Sequence, residues 1–283
     1  MSTAALGLVI GAALIHAGWN ALAKRAGDPL AFLWWAGGGA TALYLPGVVY
    51  VLRDRGFRPA AVPFVVATVL LHAVYFFSLG RAYRSGDLSL VYPVARGTGV
   101  ALVPILAFVV FDERLSPVGT LGVLLVILGI FSLHWRRRRP AAPLLAPGTA
   151  WALATGLTIA GYSLVDKAGV MRLHPLPYIG LMELGAWLVL LPAVLARPDV
   201  LRREWRVNWP TILLVAAMSP SSYLLVLFAF QFSKAAYVVA GREISIVFSA
   251  LIGSLWMGEG ALGRRLASAA IVAAGVACVA LAR

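Results

Sequence analysis

The sequence predicts an all-α polytopic membrane protein of ten transmembrane helices, arranged as two inverted five-helix repeats. Three observations predict it. The chain has 283 residues, of which 61% are hydrophobic and only 12% charged, and apolar runs of about 20 residues, each able to cross a hydrocarbon core, recur to its end. Residues 88–115 and 234–261 match under a shift of 146 positions, which lays Arg96 on Arg242 and Glu113 on Glu259, and further on Gly129 on Gly275. Each matched unit holds five spans. An odd number makes the second half enter from the opposite face, which is the inverted-repeat architecture of many secondary transporters.

The spans fall at 4–23, 30–52, 60–82, 88–111, 117–135, 147–165, 177–196, 210–232, 235–257 and 262–282. The first carries Gly7 and Gly11 at helix-packing spacing, then His16, Trp19 and Asn20, and leaves the membrane at Lys24-Arg25. The second holds Trp34, Trp35 and three glycines at 37–39, and the third His72 and Tyr75. The fourth contains Arg96. Ser116-Pro117 then reads as an N-cap followed by proline at the first helical position of the fifth. Residues 136–149, with four arginines and three prolines, form the one obvious linker. The sixth span carries GYSLVDK at 161–167, which meets GWNALAK at 18–24 under a shift of 143. The seventh holds Glu183, and the eighth has Ser219-Pro220-Ser221-Ser222-Tyr223, a kink whose freed carbonyl the serines can satisfy. The ninth and tenth echo the fourth and fifth. The organisation predicted is a first repeat at 1–139, an Arg/Pro-rich linker at 140–149 and a second repeat at 150–283.

The net charge of +13 does not point to nucleic acid, because the basic residues sit mostly in short loops, where they set membrane orientation. With the N-terminus placed in the cytoplasm, inner loops hold 8 basic residues and outer loops 14, so the charge rule favours both termini outside. The single Cys278 is a packing residue in the last span, the first apolar run lacks a basic leader and a cleavage site, and no metal-ligand spacing or cofactor motif is present. No nucleophile–base pair or phosphate-cradling loop supports an intramembrane enzyme.

HAGWNALAK in the first span, YPVARGT leading to FDERLSPVGTLGVLLVILG, and GREISIVFSALIG leading to a Gly-Glu pair occur in this order, with this spacing and duplication. Over its whole length the chain resembles the EamA family of the drug/metabolite transporter superfamily. The resemblance implies ten helices around a central cavity, alternating access and ion-coupled or exchange-driven movement of small metabolites. It also implies both termini in the cytoplasm, against the arginine count, and a bacterial inner (cell) membrane as the location.

Arg96 and Arg242 lie about 8 and 7 residues into their spans, roughly 10–12 Å deep at 1.5 Å per residue. Entering from opposite faces, they can approach one cavity and bind the anionic part of a substrate; otherwise they brace helices structurally. Glu183 and Glu243 are the acidic groups within spans. Glu183 suits proton coupling, and Glu243 suits an ion pair with Arg242 or Arg96. His16 and His72 can titrate or hydrogen-bond a substrate, although a lone histidine on an apolar helix is more often packing. Trp19, Asn20, Tyr75, Tyr92, Tyr162 and Tyr223 can line the cavity and cradle a cation or an apolar body, or serve as anchors and core. Glu113 and Glu259, at span ends, fit gating or structural roles. The two arginines and two glutamates sum to zero, which suits an amino-acid-like zwitterion; with Glu243 already paired, an organic anion fits better. The alternative is efflux of lipophilic or aromatic cations, for which nine tryptophans speak. Expected partners are a small-molecule substrate, the lipid bilayer and protons as coupling ion, with the chain working as monomer or dimer.

Overall fold

A computed structural model describes residues 1–23, 26–85, 88–134, 146–255 and 262–282. The Arg136–Arg139 run, most of the linker and Glu259 lie outside the described residues. The chain order is α1 (Thr3–Ala23), α2 (Pro29–Arg55), a single 3-10 turn (Pro59–Ala61), α3 (Val62–Ser85), α4 (Leu88–Phe111), α5 (Pro117–His134), α6 (Pro147–Val170), α7 (Pro175–Leu195), α8 (Pro198–Phe232), α9 (Ala235–Arg242), α10 (Ser245–Leu255) and α11 (Leu262–Leu281). Among the described residues, six helices are long and apolar enough to cross a membrane, and Pro117–Ser132 and Leu266–Leu281 are shorter apolar segments. The protein is an all-α, polytopic, integral membrane protein.

Proline opens α2, α5, α6, α7 and α8. Its missing N–H costs nothing there, and its fixed φ suits a first turn. Asp28 caps α2, its carboxylate accepting from the Ala31 N–H at 2.9 Å, and Ser116 Oγ accepts from the Gly119 N–H at 3.3 Å at the start of α5. Leu43, Leu70, Phe77, Val109, Leu128 and Leu214 stand exposed on the outside, as expected where lipid rather than water is the solvent.

The structure departs from the expected spans in two places. The eighth helix begins at Pro198, twelve residues before the apolar run, because Leu201 and Glu204 turn inward and hold a polar stretch in helix. The expected ninth span, 235–257, is two helices. Between them the chain tightens to i→i+3 bonds, Glu243 N–H to Ala240 O at 3.1 Å and Ile246 N–H to Glu243 O at 2.9 Å. Glu243 caps α9 and is buried against α4.

Close packing rests on small residues. A Cβ added at Gly122 of α5 would lie 2.7 Å from Gly275 O of α11, and one at Gly129 would lie 3.2 Å from Ser268 O. Residue numbers rise along α5 as they fall along α11, so this pair is antiparallel. In α2 and α7, Gly37 meets Trp187 and Gly47 meets Leu176, which again is antiparallel. The other large contacts are α1 on α8, α3 on α6, α4 on α6 and α2 on α8, followed by α1 on α9 and α10. Central α6 buries Thr155, Ser163 and Asp166 along with its apolar residues. Neighbouring helices shield it, so it does not need the hydropathy of a lipid-facing span.

Candidate substrate site

The polar side chains of six helices converge beside α6. His72 of α3 stacks on Tyr162 of α6, with centroids 4.4 Å apart. Tyr75 meets the same ring edge-on at 5.8 Å, and Tyr223 of α8 stands edge-on to His72 at 5.9 Å. The guanidinium of Arg242, at the end of α9, lies 5.3 Å above the Tyr223 ring. A cation over an aromatic face is attracted by the ring quadrupole. His16 and Trp19 of α1 form a T-shaped pair at 5.1 Å, and His16 is within electrostatic range of both Arg242 and Arg96.

Arg96 is not a free anion-binding group here. Its guanidinium donates through two nitrogens to the two carboxylate oxygens of Glu243, the Nε bond measuring 3.3 Å. The side chains are 12% and 2% exposed, so the pair is desolvated and each charge depends on the other. Of the two partners open to Glu243, it takes Arg96. Arg242 has no ion pair among the described residues. Asn20 spends its amide on its own helix, donating to His16 O at 2.8 Å, and the His72 Nδ1 lies 2.9 Å from Thr68 O. Tyr92 lies on α4 one turn before Arg96 and within electrostatic range of Arg96, Glu243 and Arg242.

Glu183 stands apart, on α7, within electrostatic range of Tyr44 of α2. It has no ion-pair partner among the described residues. Glu113 is at one end of the bundle. It pairs with Lys167 at the end of α6 and accepts the Ala235 N–H at 2.7 Å at the start of α9. Lys167 also donates to Ser233 O at 2.8 Å. The Tyr237 hydroxyl accepts the Ser116 N–H at 3.0 Å, over Gly119, where any Cβ would lie 2.3 Å from that oxygen. Three chain segments, at 113–119, 167 and 233–237, are thereby tied together at this end.

Asp166 was missed by sequence reasoning. It is 0% exposed, and accepts hydrogen bonds from the Tyr178 hydroxyl at 2.8 Å and from the Tyr223 hydroxyl. The signal was present. Under the shift of 143, Asp166 falls on Ala23, so an acid stands one residue past the expected end of the sixth span, within α6 itself, where the matched position of the first span has a methyl group. Counting it changes the charge balance. Arg96 and Arg242 give +2, while Glu183, Glu243 and Asp166 give −3, a formal sum of −1 rather than zero.

A bundle with an apolar exterior, a broken helix and charged groups at its centre is a membrane transporter by design class. The EamA-like transporter family profile matches residues 146–281, and the Small Multidrug Resistance protein profile matches residues 54–126. A spermidine export protein MdtI from Salmonella arizonae is 32% identical over 94 residues, covering 33% of this chain and 84% of that protein. Its counterpart from Salmonella paratyphi A is 31% identical over 96 residues, covering 34% and 86%. A solved crystal structure matches 99% of this chain and 98% of its own, with a TM-score of 0.75 at 19% identity, which speaks for the fold alone. The chain belongs to the drug/metabolite transporter superfamily.

Proposed function

We propose that the protein exports small organic cations carrying amine groups, by alternating access between two inverted five-helix repeats. One observation carries the substrate class: Asp166, fully buried and in no ion pair among the described residues, sets a carboxylate beside a wall of Tyr75, Tyr162, Tyr223 and His72. A carboxylate behind aromatic faces attracts an ammonium and can bond it once Tyr223 releases its hydroxyl. The spermidine exporters among the relatives add weight to an amine.

The repeats proposed are 1–139 and 150–283, joined by 140–149. Replacing every helix by its counterpart five spans on turns the α1–α8 contact into α6–α3, and α2–α8 into α7–α3. The antiparallel α2–α7 and α5–α11 pairs are what inversion requires of equivalent helices, and the Gly122–Gly275 contact maps onto Gly129–Ser268 under the shift of 146. The EamA-like match itself starts at the linker. The bacterial sources of the relatives support a bacterial cell membrane. The Glu113–Lys167 pair serves as the closed gate at its end, and Glu183, with no ion pair among the described residues, as the proton-coupling acid.

Thermal stability of the purified protein against amines, zwitterions and organic anions tests the substrate class, since a ligand of the folded state raises the melting temperature. Amines are expected to raise it for the native chain and not for Asp166→Asn. A second reading, an amino-acid-like zwitterion, is favoured by Arg242, whose guanidinium has no carboxylate among the described residues. Stabilisation by zwitterions that disappears in Arg242→Ala would move the assignment there. For coupling, Glu183→Gln should flatten the pH dependence of transport. An unchanged profile excludes the role.

A further inference from the structure

We infer that the first three turns of α8 form a binding surface for anionic phospholipid headgroups, built from Arg202, Arg203, Arg206 and Trp209. The inference is independent of the substrate reading. α8 has 35 residues and at 1.5 Å per residue is about 52 Å long, whereas a hydrocarbon core is about 30 Å thick. Its apolar part, from Ile212 to Phe232, fills that core alone. Residues 198–211 therefore stand at headgroup level and beyond.

This extension has two faces. Leu201 and Glu204 are buried, with Trp205 and Asn208 partly covered, at the 3-1-3 spacing of one helical face. Glu204 accepts the Gly27 and Asp28 N–H groups at 3.2 and 2.9 Å and is held by Asn208. Trp205 packs on Trp35 at 4.7 Å, and Trp35 Nε1 donates to Leu201 O at 3.0 Å. The extension is thus fixed to the start of α2 and cannot swing away. Its other face carries Arg202, Arg203 and Arg206, all exposed, and no ion pair of theirs is found among the described residues. Arg197 is excluded from the surface because Asp28 holds it at 2.8 Å. Asp199, exposed in the first turn, is the acidic group on the same side of the helix, because Glu204 is turned inward.

Charge complementarity commits this face to one occupant. Three guanidiniums within two turns match phosphate oxygens through paired hydrogen bonds. Trp209, 50% exposed and one turn closer to the apolar span, belongs to the residue type that anchors at the water–lipid boundary. Arg206 lies six residues from Ile212, or about 9 Å along the axis, a level from which its long side chain reaches the phosphate layer.

The test is the melting temperature of the detergent-purified full chain, titrated with phosphatidylglycerol, with phosphatidylcholine or with inorganic phosphate. It is made for the native chain and for the triple variants Arg202→Gln/Arg203→Gln/Arg206→Gln and Arg202→Lys/Arg203→Lys/Arg206→Lys. Phosphatidylglycerol should stabilise the native and lysine forms at low concentration, and the glutamine form should require about 100-fold more. Phosphatidylcholine and inorganic phosphate should do little at the same concentrations. Equal stabilisation by phosphatidylcholine, or by phosphatidylglycerol in the glutamine form, overturns the inference. So does a response to inorganic phosphate as strong as to the lipid, which would make the surface a free-anion site.

Discussion

Replacing Gly122 by alanine tests the antiparallel α5–α11 crossing, and Gly7→Ala supplies the control. In an open helix position, glycine to alanine is worth about 0.5–1 kcal/mol of stability. Gly7 is such a position, because an added Cβ meets nothing within 4 Å. At Gly122 the same methyl group would lie 2.7 Å from Gly275 O and 2.8 Å from both Val279 N and Val279 Cγ2. Two of these are backbone atoms, which cannot turn aside as a flexible side chain would. The helices must separate by about half an ångström, and overpacking of this kind costs about 1–3 kcal/mol, more than the propensity gain. Thermal unfolding in detergent, followed by size-exclusion recovery, should show Gly122→Ala below the native chain and Gly7→Ala level with it or above. Gly275→Ala should match Gly122→Ala, since its Cβ would lie 2.7 Å from Gly122 O. A neutral Gly122→Ala refutes the crossing as described.

Lys167→Met leaves Glu113 buried without its cation and should cost about 3–5 kcal/mol, with most of the loss restored in Lys167→Met/Glu113→Gln; a double-mutant cycle on melting temperature checks this. Glu243→Gln should destabilise similarly by stranding Arg96, whereas an unchanged melting temperature would show that the pair contributes nothing. His174 caps α7, its Nδ1 accepting the Leu176 N–H at 3.2 Å, and burial, followed by the charge of Arg55, holds its pKa below the usual histidine range. The neutral form is therefore favoured in the folded chain. Its contribution is present above the unfolded value near 6.5 and is lost as pH falls through the folded one. The protection factor of the amides at the start of α7, that is, exchange relative to its intrinsic rate at each pH, should fall on acidification in the native chain but not in His174→Asn, which caps at any pH.

Helix placement was legible because lipid imposes long apolar runs, and Arg96 and Arg242 stood out because charges inside such runs are costly and conspicuous. The start of α8 was hidden by the same logic. Arg202, Arg203 and Arg206 lower hydropathy, while the contacts that hold residues 198–209 helical, Glu204 on Gly27 and Trp205 on Trp35, join residues far apart in sequence. The break after Arg242 has no proline and only Gly241 beside it to mark it, and its tight turn accompanies a tertiary ion pair of Glu243 with Arg96. Asp166 was read as part of a repeat landmark rather than as a charge inside a span. That omission set the balance at zero and pointed the substrate towards zwitterions and anions. The tyrosines gathered around it come from α6, α7 and α8, and no spacing in the sequence announces their meeting.

The most direct test of the central claim is uptake of a labelled aliphatic diamine or polyamine into proteoliposomes, measured for the native chain and for Asp166→Asn, with unlabelled amino acids and organic anions as competitors. The account predicts saturable amine transport, competition by other amines but not by anions, and at least a tenfold loss in Asp166→Asn at unchanged folded yield, since about 1.4 kcal/mol is tenfold and a charge-assisted hydrogen bond is worth about 1.5–3 kcal/mol. Full amine transport by Asp166→Asn, or competition by anions alone, would contradict it.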